Sequence, residues 1–325
     1  MKKSLLFEEH CQQAANAIEA LQSGNAGFRQ LSGSEIDRLC SGGCSSDNWS
    51  QVLVYGEVPE GAILRTSFSG SVWLDFGGWY KYAKPTCEAS LKYPVGRIEN
   101  SRLQDCFIGQ HATVLDCTLI SSTFIEPHAQ LIGSTITNPR AKSHFGVGSQ
   151  LKLLNEISPF EYLLAPGLTL DDLAELEILR PSCPDLPGIL SGWSIIGSHA
   201  LVEFCRDAGN LLLDYSCRIS NALSVNNAML LSRITNEQGW ISCQPSFIET
   251  GGSITNGVLQ PGSSISSSAR ANHVFLMDNA ALEQQASVNH SIIGPGTHIG
   301  QGEVHASIVG PMIAQHHQSL LIAGD

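Results

Sequence analysis

Basic residues are scarce in this chain: 18 Lys plus Arg stand against 30 Asp plus Glu in 325 residues, a formal net charge of −12. Nucleic acid and anionic membrane surfaces need a basic footprint to release counterions, so neither is expected as the main partner. Long apolar runs are missing too. Nothing approaches the ~18 consecutive apolar residues of a membrane span. The apolar part of Met1-Lys-Lys-Ser-Leu-Leu-Phe7 is too short for a signal peptide, which predicts a cytoplasmic protein with no membrane span. Ten cysteines occur without a single Cys-x-x-Cys. The closest pair, Cys40 and Cys44, lies in a Gly/Ser-rich turn with no second pair at zinc-ligand spacing, so reduced thiols are expected there, and packing roles for Cys106 and Cys117. A phosphate-cradling Gly-rich loop with its lysine, Gly-x-Ser-x-Gly and His-Glu-x-x-His are all absent, which removes kinase, esterase-elbow and zincin chemistry.

What the chain does have is a repeat. Ile248, Ile265, Leu282 and Ile299 are each 17 apart, and Leu259, Leu276 and Ile293 run beside them with the same step. The pairs Ile108/Ile125, Val114/Leu131 and Ala112/Ala129 repeat it upstream, and Ile196/Leu213, Val202/Ile219 and Ala208/Val225 in the middle. Each step divides into roughly three hexads, as in Ile293-Gly-Pro-Gly-Thr-His298 followed by Ile299-Gly-Gln-Gly-Glu-Val304. The pattern predicts a mainly β fold, a parallel β-helix of hexapeptide repeats with about 17 residues per coil, whose coils bury their apolar faces on their neighbours.

Four regions are expected. Residues 1–50 form a helical N-terminal cap: Leu5, Ala15, Ile18 and Leu21 recur near helical spacing, and Ser32 with Glu35 reads as a capping box opening a second helix. Both helices should cover the open end of the solenoid, whose strand edge would otherwise invite aggregation. Residues 51–155 form a first β-helix segment. Residues 156–190 form a helical insertion, with Thr169 as its cap and Pro181 as its stop. Residues 191–325 form a second β-helix segment and a C-terminal tail.

Histidine carries the candidate chemistry, because a 17-residue step turns sequence spacing into stacking. His111 and His128 fall on one track, and His273 and His290 on another, within the repeated pairs Asn272-His273 and Asn289-His290. An imidazole titrates near neutrality and can serve as general base for a sugar hydroxyl or amine attacking an acyl thioester. Histidines at solenoid turns also serve simply to hydrogen-bond along a stack. His316 and His317 differ in lying where the coil pattern stops, and they suit a metal or an anion, with His305 or a partner subunit supplying a third ligand. His290, His316 and His317 are the candidate catalytic residues, with no metal ligand set assigned.

At Ile98-Glu-Asn-Ser101 and Val288-Asn-His-Ser-Ile-Ile-Gly294 the coils resemble the left-handed β-helix of hexapeptide-repeat acyltransferases and sugar nucleotidyltransferases. A closer resemblance rests on Trp49-Ser-Gln-Val-Leu-Val54, Phe68-Ser-Gly-Ser-Val72, Leu154-Asn-Glu156, Gly302-Glu-Val-His-Ala-Ser-Ile-Val-Gly-Pro311 and His316-His-Gln-Ser-Leu-Leu-Ile-Ala-Gly324. It is to an uncharacterised bacterial family, a domain of unknown function, of long left-handed β-helix proteins, and spans roughly residues 32–155 and 190–324. The resemblance implies a left hand, a transferase-like body, an acyl-coenzyme A or acyl-carrier thioester as cofactor, a small-molecule acyl or nucleotide-sugar ligand, and a homo-oligomer, commonly a trimer. It brings no catalytic residues to carry over. It also implies a longer chain and a larger central insertion than residues 156–190. In such acyltransferases the catalytic His stands two places before the small corner residue, whereas His290 immediately precedes Ser291. Three readings stay open: a hexapeptide-transferase-like enzyme, a non-catalytic binding or scaffold solenoid, and a metal-dependent hydratase-type site built from histidines.

Overall fold

A computed structural model describes residues 4–81, 91–138, 145–155, 157, 160–169, 171, 192–237 and 240–324. The chain is mainly β. Two helices, α1 (Ser4–Gln22) and α2 (Gly33–Ser41), flank the two-residue strand Arg29–Gln30, and a succession of short strands follows. Among the described residues these strands pair into two long, predominantly parallel sheets of 16 and 11 strands, an arrangement compatible with a β-solenoid. In the first sheet Ile254 pairs with Ala271 and Ala271 with Val288; in the second, Ile265 pairs with Leu282 and Leu282 with Ile299. These partners stand 17 positions apart, the step of the apolar tracks. Ile254, Ile265, Leu276, Leu282, Ile293 and Ile299 are all fully buried in one continuous core.

Seven-residue strands such as Arg270–Leu276 and Ser287–Ile293 bend at their midpoints, where His273 (φ 52°) and His290 (φ 44°) adopt the left-handed backbone conformation. Asp105, Asn210, Asn227 and Asn256 make the same bend on other strands. Left-handed backbone costs an L-residue about 1–2 kcal/mol. Asn, Asp and His tolerate it best, so these types gather at the bends.

Beyond the bend, both faces of the strand are buried. Val274 and Leu276 point into the core, while Phe275 between them joins a second apolar cluster on the outer face. Phe107 and Phe124, then Ile195, Leu212 and Met229, then Val258, Phe275 and Ile292 continue that outer stripe. Helix α1 covers part of it with Cys11, Ala14, Ala15, Ile18 and Leu21, and residues 145–168 contribute Phe145, Val147, Leu151, Leu153, Tyr162 and Leu164 to the same cluster. Thus α1 lies along the flank of the sheet and not over its end. The end at Ile63–Leu64 is met by α2: its Ser32/Glu35 capping box is formed, Leu39 enters the core beside Ile63, and the Gly42 carbonyl accepts from Arg65 N at 2.9 Å. The outer stripe explains the difference, because an apolar sheet face needs a cover as much as an open edge does.

Besides residues 76–97, which the pairing of Ile63 with Ile98 and of Ser67 with Arg102 skips over, two antiparallel excursions leave the parallel stack among the described residues. Pairing steps directly from Leu131 to Val202, so the break follows Ile136, ahead of the boundary at 155 read from the sequence. Within the excursion, Gln150–Leu153 and Phe160–Leu163 form an antiparallel hairpin, while the helix expected between its cap Thr169 and its stop Pro181 falls mostly outside the described residues. The second excursion is an antiparallel hairpin of Ser232–Glu237 with Trp240–Pro245, and the pairing of Ile219 with Ile248 skips over it. A hairpin closes its own backbone hydrogen bonds, so it can be inserted without disturbing the register of the coils on either side.

Phe124 tests the second core. It is fully buried, stacked on Phe107 at 4.4 Å and edge-on to Tyr80 at 5.0 Å. Phe124→Ala should cost about 3–5 kcal/mol in denaturant unfolding, the range for emptying a buried aromatic site. A cost below about 1 kcal/mol would mean that the flank is not a packed core.

Candidate functional site

The structure brings the histidines into three groups. His111, His128 and His199 form a ladder along one corner, with ring centroids 5.1 and 4.9 Å apart, and His199 continues onto Tyr215 at 5.1 Å. His199 escapes the 17-residue track because the first excursion separates it from His128 in sequence. Burial and the neighbouring imidazole push His128 down and His199 down to about 4, so both are neutral near pH 7. A second ladder runs Asn256, His273, His290: Asn256 Nδ2 lies 3.3 Å from His273 Nε2, and His273 stacks on His290 at 4.5 Å. Burial, His273, His305 and Lys152 all depress His290. Stacked rings present their faces to one another, so both ladders bring imidazoles together without converging their nitrogens on one point.

The third group lies on the second sheet. Glu283 pairs in register with Gly300, and His298 Nε2 lies 3.0 Å from Glu283 Oε2. His316 sits edge-on to His298 with ring centroids 4.7 Å apart, and His317 lies a further 6.1 Å along. Glycine at 300 makes room for this arrangement, since a Cβ there would stand 2.9 Å from His316 Nδ1. Both members of the His298–Glu283 pair are about one-third exposed, so solvent and ligands reach them. The structure therefore groups His316 and His317 with His298 and Glu283, and places His290 on a different sheet. Sequence reasoning misses His298 because its carboxylate partner belongs to the strand of the preceding repeat, a contact visible only once the repeats are stacked.

A fourth cluster is fully buried and has no sequence signal. His10 of α1 places Nε2 2.7 Å from Glu126 Oε1 and Nδ1 3.2 Å from Asp214 Oδ1. Tyr80 donates its hydroxyl to Glu126 at 2.9 Å, and Ser198 donates its backbone N–H to the other Glu126 oxygen at 2.8 Å. Ser232 donates its hydroxyl to Asp214 at 3.0 Å. Tyr80 is itself held by Asp75, whose carboxylate accepts from the backbone N–H groups of Gly77, Gly78, Trp79 and Tyr80. Burial alone would push His10 down, but the two carboxylates outweigh it and raise it to about 9. His10 is thus a buried cation between two carboxylates of the stack, and it pins α1 to the sheet. Sealed from solvent, the cluster is structural.

Among the described residues no three His, Cys, Asp or Glu are arranged to hold a metal ion. Cys106 and Cys117 are buried as expected, and burial pushes their thiols up to about 12 and about 11, far from reactive thiolates. No described helix is long and apolar enough to cross a membrane. Residues 28–178 match a family model described as Domain of unknown function (DUF4954). The match covers the second helix, the first parallel strands and the hairpin at 150–163. It stops short of His298 and His316. No curated protein matches the chain.

A His pKa raised from 6.5 to about 9 contributes stability that is fully present below 6.5 and is lost as pH rises through 9, about 3 kcal/mol at 1.36 kcal/mol per unit. Chemical unfolding of wild type should therefore weaken between pH 6.5 and 9, and His10→Gln should flatten that slope while costing about 3–5 kcal/mol at pH 7 by stranding two buried carboxylates. An unchanged slope in the variant would remove His10 as the latch. The depressed His199 has the opposite sign: its folded pKa, about 4, lies below the unfolded value, so stability is lost as pH falls from about 6.5 toward 4. His199→Asn, which suits a left-handed corner, should soften that acid limb; equal acid sensitivity in the variant would count against the ladder as its origin.

Proposed function

We propose that the stack is a left-handed β-helix of hexapeptide repeats, with one coil to each step of the apolar tracks, and that it acts as an acyltransferase-like enzyme whose base is His298. The carrying observation is the 3.0 Å contact between His298 Nε2 and Glu283 Oε2 at an accessible position. A carboxylate that accepts the Nε2 proton fixes the tautomer and leaves Nδ1 as the proton acceptor. In the reaction, a hydroxyl or amine of a small acceptor attacks the carbonyl carbon of an acyl-coenzyme A or acyl-carrier thioester. Nδ1 takes the acceptor's proton, the C–S bond breaks, and the proton passes to the departing thiolate. His316, edge-on to the His298 ring, is a positioning residue that restricts its rotation. The ladders favour a second reading, since imidazoles stacked on their neighbours serve the stability of a binding or scaffold solenoid.

Thermal unfolding with a panel of acyl-coenzyme A, acyl-carrier thioesters and nucleotide-sugars separates the two readings. A donor at 100 times its Kd adds about 2.7 kcal/mol of stability, which moves the midpoint by a few degrees. With the donor so identified, His298→Ala should lower kcat at least ~100-fold, the usual contribution of a general base. Glu283→Gln should lower it less and displace the pH profile. Undiminished turnover in His298→Ala would remove the base, and a flat panel on folded protein would leave the scaffold reading.

A further inference from the structure

The corner that follows Glu283 holds a feature that the base does not use. Gln284, Gln301 and Gln318 recur at the step of the apolar tracks and line one open cleft of about 400 Å³ together with Gly302, Glu303 and Ser319. All three glutamines stand in the left-handed conformation, with φ of 51°, 53° and 57°. Asn210, Asn227 and Asn256 make left-handed bends elsewhere in the fold, and Asn or Gly would relieve the strain here too. Thr250 and Ser267 turn the same corner in the left-handed conformation on the two preceding steps, so the bend belongs to the stack, and what sets these three steps apart is the amide each presents. The glutamine amides make no hydrogen bond to another described residue, so each keeps its donors and its acceptor for a ligand. The Ser319 hydroxyl is likewise without a partner. Among the described residues no Lys or Arg lines the cleft, and Glu303 is the only charged one.

We propose that this corner binds an extended, neutral oligosaccharide lying along the stack. Hydroxyl groups both donate and accept, as primary amides do, whereas a phosphate or carboxylate ligand would meet Glu303 with no cation to offset it. Amides on successive coils repeat at the strand spacing of about 4.8 Å. Sugar units of an extended glycan repeat at a similar interval, so one glutamine can serve each unit. The site is independent of the proposed base, although Gln284 adjoins Glu283 in sequence.

The test uses the full chain with cellohexaose, laminarihexaose and maltohexaose, their disaccharides, and hexagalacturonate as an anionic counterpart, read by calorimetry and saturation-transfer NMR. At least one neutral hexasaccharide should bind, more tightly than its disaccharide and unaffected by a several-fold rise in salt. The triple variant Gln284→Asn/Gln301→Asn/Gln318→Asn keeps a backbone-compatible residue at each corner but retracts the amides, and should weaken that binding at least tenfold with unfolding unimpaired. His298→Ala should bind like wild type, so loss of catalysis and loss of glycan binding are read separately. The proposal is overturned if none of the three neutral hexasaccharides binds, if the triple variant binds as well as wild type, or if hexagalacturonate alone binds.

Discussion

Parallel pairing between one turn of the chain and the next is the constraint from which the rest of this structure follows. A single turn has too few apolar residues to enclose, so Ile265 is buried only because Ile248 and Leu282 pair on either side of it. The same dependence recurs from Ile63, paired with Ile98, to Ile299, paired with Gln315. Because the strand period is two, a slip of one residue would turn every core residue outward, which is why the apolar tracks keep so strict a step. Both excursions respect it: Ile136 and Ser194, on either side of the first, pair with Ile120 and Thr123 of one strand, and Ile219 pairs with Ile248 across the second.

Tight corners follow from the short sides. Left-handed residues are required to turn the chain, and His, Asn and Asp, which bear this conformation best and fill many of the turns, are also types that carry chemistry. Corner histidines therefore accumulate for backbone reasons before any functional reason acts. Position on a ladder by itself says little about catalysis. His298 differs because it is on a strand side, not at a bend, and faces a carboxylate across the sheet.

The flank shows how a local device can fix a helix against a long parallel sheet. The outer stripe gives α1 an apolar seat, and His10 adds a charge that Glu126 and Asp214 share across the sheet. Burying three ionisable groups is costly unless each is paired, and here both carboxylates also accept hydrogen bonds from Ser198, Tyr80 or Ser232. Such a cluster tolerates one placement of the helix and few others.

Much of this was legible in the sequence. The 17-residue tracks marked the core positions and their pairing partners, the Ser32/Glu35 box marked the start of α2, and the His273/His290 step marked a stack. The outer stripe keeps the same step, in Phe107/Phe124 and Val258/Phe275/Ile292, but it was not read from the sequence, because a strand buried on both faces loses the alternation that marks a face. The hairpin at 232–245 lies between tracks that keep their own period on either side, so the repeat passes over it. What the sequence by itself determined is the repeat, because burial on a neighbouring coil demands the same residue type at the same interval. Tertiary structure alone decided that His10 meets Glu126 and Asp214, both distant from it along the chain, and that Glu283, His298 and His316 share one surface. Those contacts depend on where a helix docks and on which coils become neighbours, and neither leaves a periodic trace in the chain.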